Sequence, residues 1–138
     1  MLTEPVKTLM QLSVLQTKIN KRIDLHLSIH GINYSEFMVM FHLSNAPDYC
    51  LRRIELADLT ALTASGVTRL LVPMEKIGLV DKERNLRDAR VSLVKLTRAG
   101  KTLFKHAAST LEQAAERQTQ NLSEKDLKKL AQLLALMD

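Results

Sequence analysis

The chain has one cysteine, Cys50, so no internal disulfide can form, and a lone thiol suits a reducing compartment. Its first residues, Met1-Leu2-Thr3-Glu4-Pro5, hold neither a basic stretch nor an apolar core, and no signal peptide is expected. No apolar run approaches the roughly 20 residues of a membrane span. Repeats and low-complexity tracts are missing too. There is no Gly-rich phosphate loop, no metal triad at a recognisable spacing and no nucleophile beside an evident base, which argues against an enzyme. These absences lead us to expect a cytoplasmic protein without catalytic activity, cofactor or membrane partner.

What the chain does have is ordinary apolar content and unevenly placed positive charge. Its 138 residues are 46% hydrophobic and 25% charged, as in one folded domain. A chain of this length buries roughly two thirds of its unfolded surface and needs no metal or disulfide staple. The formal net charge is +5. From Lys76 to Lys105 there are nine Lys or Arg against three Asp or Glu, while the rest of the chain holds 11 basic and 12 acidic residues. The whole excess sits on one stretch, the footprint of a surface that meets a polyanion.

Local signals predict a mainly α chain with one small β-hairpin. Between Pro5 and His30, Leu12, Leu15, Ile19, Ile23 and Leu27 recur at steps of three and four, one face of an amphipathic helix. Pro5 suits its first turn and Gly31 its C-cap. Asn33 opens a second helix with Glu36 three residues on and a staple between Ile32 and Phe37. Phe37, Met40, Phe41 and Leu43 or Ser44 follow, until Asn45-Ala46-Pro47-Asp48 breaks the helix. Tyr49-Cys50-Leu51 fits a small strand.

Ile54 to Leu62 reads as a short third helix with Leu56, Leu59 and Leu62 inward. A fourth starts at Thr63, and the two form a helix-turn-helix. Leu79 to Arg84 and Val91 to Thr97 alternate and are rich in β-branched residues, the two strands of a basic hairpin. Thr97 caps a fifth helix. Ser123, with Asp126 three residues on, opens a sixth that carries Leu127, Leu130, Leu134 and Met137 on one face. Residues 33–97 then form a winged helix-turn-helix core. The terminal helices, 5–31 and 98–138, carry more apolar surface than that core covers, which points to dimerisation helices of a symmetric homodimer.

Several short motifs recur together: Asn33-Tyr34-Ser35-Glu36-Phe37, Glu55-Leu56-Ala57, Ser65 with Val67-Thr68-Arg69-Leu70, Glu75 with Gly78-Leu79-Val80, Asp88-Ala89-Arg90, and Leu96-Thr97-Arg98-Ala99-Gly100. In this order and spacing the chain resembles the MarR family of bacterial transcriptional regulators over nearly its full length. The resemblance implies a homodimer on double-stranded DNA, with recognition helices in successive major grooves of a near-palindromic operator and each wing in a flanking minor groove. It also implies a repressor relieved by a small-molecule effector, held among the first, second and fifth helices.

Ser65, Thr68 and Arg69 lie in the first two turns of the recognition helix, where side chains meet base edges. Hydroxyls bond phosphate or bases, and Arg suits guanine or phosphate. The plainer reading makes Thr68 a surface residue and Arg69 a structural ion-pair partner. The wing residues are Arg84, Arg87, Asp88 and Arg90. A narrow minor groove favours an inserted guanidinium, and Asp88, like the matching family aspartate, would hold an arginine in position. The alternative is a solvated charged turn.

Three positions depart from the family pattern. Ala89 stands where a second arginine is usual, and Gly66 where Thr or Ser is usual. Pro73 lies inside the fourth helix, and a kink near Arg69-Leu70 or an early end is expected. These departures favour an alternative, a winged-helix protein-interaction module without DNA binding. A metal- or redox-responsive regulator of the same family is another. His26 and His30 are spaced i,i+4, as two ligands of one metal are, but no third ligand is near. Cys50 precedes Arg52 and Arg53, which could lower its pKa. Interface or surface histidines and a small buried cysteine are the simpler readings, and no metal site is assigned.

Overall fold

The computed structural model describes residues 1–138, and four of its six helices open on a side-chain cap that satisfies a free amide. Along the chain run α1 (Glu4–Leu27), α2 (Tyr34–Ser44), β1 (Cys50–Arg52), α3 (Arg53–Thr60), α4 (Ala64–Lys76), β2 (Val80–Arg84), β3 (Ser92–Leu96), α5 (Arg98–Gln118) and α6 (Glu124–Ala135). At α2, Asn33 Oδ1 accepts from the Glu36 amide and Glu36 Oε1 accepts from the Asn33 amide, both at 2.9 Å. The expected staple residues, Ile32 and Phe37, are both buried. Ser123 and Asp126 repeat the reciprocal arrangement at α6. Gly31 and Gly78 take left-handed φ of 72° and 78° and end the helical runs before them.

The strands form an antiparallel sheet in the order β1-β3-β2. Val80 pairs with Leu96 and Arg84 with Ser92, and Cys50 pairs with Lys95 on the other side of β3. Alternation turns Val80, Val94 and Leu96 inward. They close a core with Leu43 of α2, Leu56 of α3, and Val67, Leu71 and Met74 of α4. Leu27 and Ala107 join it from α1 and α5. The buried centre of the chain therefore lies in the winged helix.

Three details refine the expectation. Phe41 and Leu59 are 43% and 50% exposed rather than inward, and Val39, not anticipated, is fully buried. Tight turns also occur without glycine: Asp48, Tyr49 and Ala61 have φ of 54°, 58° and 58°. The Lys101 ammonium lies 3.6 Å from the Tyr49 ring centroid and fastens that turn to α5. Finally, α4 does not end early, because it runs through Pro73 to Lys76. Pro73 and Arg69 are both exposed, so water can serve the Arg69 carbonyl that the missing amide leaves free.

The terminal helices differ from the centre. The α1 stripe sinks as it proceeds: Leu15 is 44% exposed, Ile23 half-buried and Leu27 fully buried. No residue of α6 is buried, and Leu127, Leu130, Leu133 and Leu134 lie open along it.

Candidate nucleic-acid interface

Burial of Val67, Leu71 and Met74 fixes the rotation of α4, and Ser65, Thr68 and Arg69 are left exposed on its other side. Thr63 Oγ1 accepts the Gly66 amide at 3.0 Å and lies 3.2 Å from Ser65 Oγ, so the first turn is fixed by its cap. Thr68 Oγ1 donates to the Ala64 carbonyl at 3.1 Å and accepts from Arg53 Nη1 at 3.1 Å. Arg69 joins none of the ion pairs, unlike the structural partner that the plainer reading supposed.

Behind Thr68 lies a charged cluster that joins three elements. Arg53, at the start of α3, places Nη2 3.8 Å from Glu75 Oε1 near the end of α4. Lys82 of β2 places its ammonium 3.9 Å from Glu75 Oε2. Arg53 and Glu75 side chains are only 24% and 26% exposed. Sequence reasoning assigned no such role to Arg53. Its partners are 15 and 22 residues away, and only the packing of α3 on α4 brings them together.

The wing turn is built on two acidic or amide side chains. Asn85 Oδ1 accepts from the Arg87 amide at 2.9 Å and the Asp88 amide at 3.3 Å. Asp88 takes Arg90 at three points: its backbone amide at 3.0 Å, Nε at 3.1 Å and Nη2 at 3.3 Å. The hydrogen bonds from the Arg90 side chain, then that from its backbone, hold the Asp88 carboxyl below the usual aspartate range. Arg90 is nonetheless 91% exposed. Arg84 and Arg87 are exposed and make no ion pair, and Leu86 stands fully exposed at the tip. Asp88 therefore constrains one arginine of the wing and leaves two free.

One hydroxyl joins the wing to the body. Thr97 Oγ1 donates to the Gly78 carbonyl at 2.6 Å and accepts from the Gly100 amide at 3.0 Å. The Thr97 amide donates to Leu79 O at 3.1 Å. α5 begins so close to the residue that precedes β2 that a Cβ on Gly100 would strike the Leu79 carbonyl.

The candidate sensors take other partners. Cys50 Sγ donates to Glu83 Oε2 at 3.4 Å, and burial together with the Glu83 carboxylate pushes the thiol up to about 11. The lowering that Arg52 and Arg53 could supply does not occur, because Arg52 turns to Glu55 and Arg53 to Thr68. His30 Nε2 lies 2.7 Å from Thr110 Oγ1, and His26 lines a cavity of about 460 Å³ between α1 and α5 with Arg22 and Ile23. No three metal-ligating side chains converge. A second cavity, about 430 Å³, lies between α2 and α5 against Phe37, Phe41, Phe104 and Leu111. No helix is long and apolar enough to cross a membrane.

Residues 30–91 match the family model described as "MarR family". The HTH-type transcriptional regulator PrsX of Escherichia coli is 32% identical over 93 residues, 67% of this chain and 56% of that protein. The chain thus spans little more than half the length of this relative. A mutant of MarR from E. coli, complexed with operator DNA, superposes with a TM-score of 0.85 at 24% identity, covering 97% of this chain and 94% of that one. Sco3205 of Streptomyces coelicolor, a MarR family transcriptional regulator in complex with DNA, gives 0.90 at 21% identity, covering 99% and 88%.

Proposed function

Because the chain belongs to the MarR family, with its signature in residues 30–91 and its fold throughout, we propose that it is a sequence-specific, DNA-binding regulator of transcription. The observation that carries this reading is the exposed side of α4, with Ser65, Thr68 and Arg69, together with a basic wing whose Arg90 is held by Asp88. The helix edge enters a major groove, and Arg84, Arg87 and Arg90 meet the phosphates and minor groove beside it. Arg87 supplies the cation that Ala89 lacks.

The working form is a homodimer. The open leucines of α6 and the exposed half of α1 are apolar surface that a second copy covers, and two-fold symmetry then matches a near-palindromic operator. The protein represses, and a small molecule in the cavities bordered by α1, α2 and α5 relieves repression by favouring a dimer whose helices miss the half-site spacing. The test is a mobility-shift titration of the protein on its own upstream region. We expect a shift that weakens steeply with salt and is lost on unrelated duplex. Arg69→Ala and Arg90→Ala should each weaken it. A shift that is absent at low salt, or indifferent to both substitutions, overturns the reading.

A further inference from the structure

We propose that Arg53 is a positioning residue for recognition: it fixes the Thr68 hydroxyl as an acceptor only, so that Thr68 reads a base amino group and not a phosphate. This inference rests on the DNA-binding reading above. A threonine hydroxyl has one proton and two lone pairs. The proton is spent on the Ala64 carbonyl at 3.1 Å, and one lone pair takes the Arg53 Nη1 donor at 3.1 Å. What remains for a ligand is one lone pair and the methyl group. Phosphate oxygens carry no proton to give, and neither do guanine N7 and O6 or thymine O4. The major-groove groups that donate are the adenine N6 and cytosine N4 amines.

The rest of the cluster holds Arg53 to this task. Glu75 stands 3.8 Å from its Nη2, too long for a hydrogen bond but close enough to keep the guanidinium from turning outward. Lys82 shares the same carboxylate at 3.9 Å from the wing side. Arg53 Nε and Glu75 Oε1 are buried without hydrogen-bond partners, a poor arrangement if stability were its purpose. With its side chain 24% exposed, Arg53 acts on DNA through Thr68 rather than by itself.

The test is in-vitro selection from a random-sequence duplex library, run with the full chain and with Arg53→Met, Thr68→Val and the double variant. Wild type should enrich a motif in which one position per half-site prefers adenine or cytosine by roughly five-fold, the size of one neutral hydrogen bond. Thr68→Val and Arg53→Met should both lose preference at that position and keep it elsewhere, and the double variant should lose nothing more. If Arg53→Met fails to fold by circular dichroism, Glu75→Gln, which leaves the guanidinium in place but unrestrained, should reduce preference at the same position. A motif unchanged in Arg53→Met, or weakened evenly at all positions, overturns the proposal while leaving DNA binding intact. A wild type that enriches nothing overturns both.

Discussion

Asp88 and Arg90 form a two-point pair across the wing turn, Nε to Oδ1 at 3.1 Å and Nη2 to Oδ2 at 3.3 Å, on a surface where most ion pairs are loose. The planar fork fits the carboxylate edge to edge, so the pair sets the direction of the guanidinium. The folded pKa of Asp88 is depressed. The pairing is therefore intact above the ordinary aspartate value of 3.8 and is lost only as pH falls through the lower folded value. Carbon-detected NMR titration should place the Asp88 midpoint below 3.8, and Arg90→Ala should return it towards that value. An unmoved midpoint in the variant would show that the pair is absent in solution.

Gly100→Ala should be among the most damaging single-methyl additions to this chain. The new carbon meets a backbone carbonyl, Leu79 O, that cannot move without unseating β2 and the Thr97 bonds. We expect a loss of about 2–3 kcal/mol, the upper range for overpacking, read as a lower urea midpoint at fixed protein concentration. Wild-type stability in this variant would mean that α5 stands further from the strand.

Cys50 should be a slow thiol. With its pKa raised to about 11 from 9.0, its thiolate fraction near neutral pH is about one hundredth of an unperturbed cysteine's. Iodoacetamide should label the native protein correspondingly slowly. Glu83→Gln, which removes the carboxylate that opposes ionisation, should speed labelling. Fast labelling of the wild type would restore the redox-responsive alternative that this environment disfavours.

The open face of α6 predicts association. Sedimentation equilibrium should give twice the 15.6 kDa of one chain. Leu130→Glu with Leu134→Glu should reduce the mass to that of one chain and weaken the operator shift with it, because both substitutions charge the exposed leucine row. A wild type that sediments as a single chain removes the homodimer from the proposed function.

What the sequence made legible follows the range of the interactions. Asn33, Thr63, Thr97 and Ser123 were readable as caps because a cap bonds an amide three residues on, and all four do so. The wing strands were readable from alternation, and Asp88 with Arg90 from adjacency. Arg53 was not. Its meaning depends on Thr68 and Glu75, which come close only when Leu56 and Val67 are buried in the same core. At Pro73 the local rule left a kink or an early end open, and only the early end is excluded: the buried Leu71 and Met74 on either side hold α4 against the core through Lys76. The exposure of Phe41 and Leu59 was hidden likewise, because a three-four pattern gives a face without saying how far its edges are covered.

The Thr97 hydroxyl links the end of α4, through Gly78, to the start of α5, through Gly100, within a single side chain. That makes α5 a lever with its short end fastened at the root of the hairpin. Its 21 residues extend about 31 Å at 1.5 Å each, so a tilt of about 10° carries the far end roughly 5 Å. Ala114 and Gln118, which border the cavity beside α1, lie on the long arm, where a given tilt of α5 produces the larger displacement.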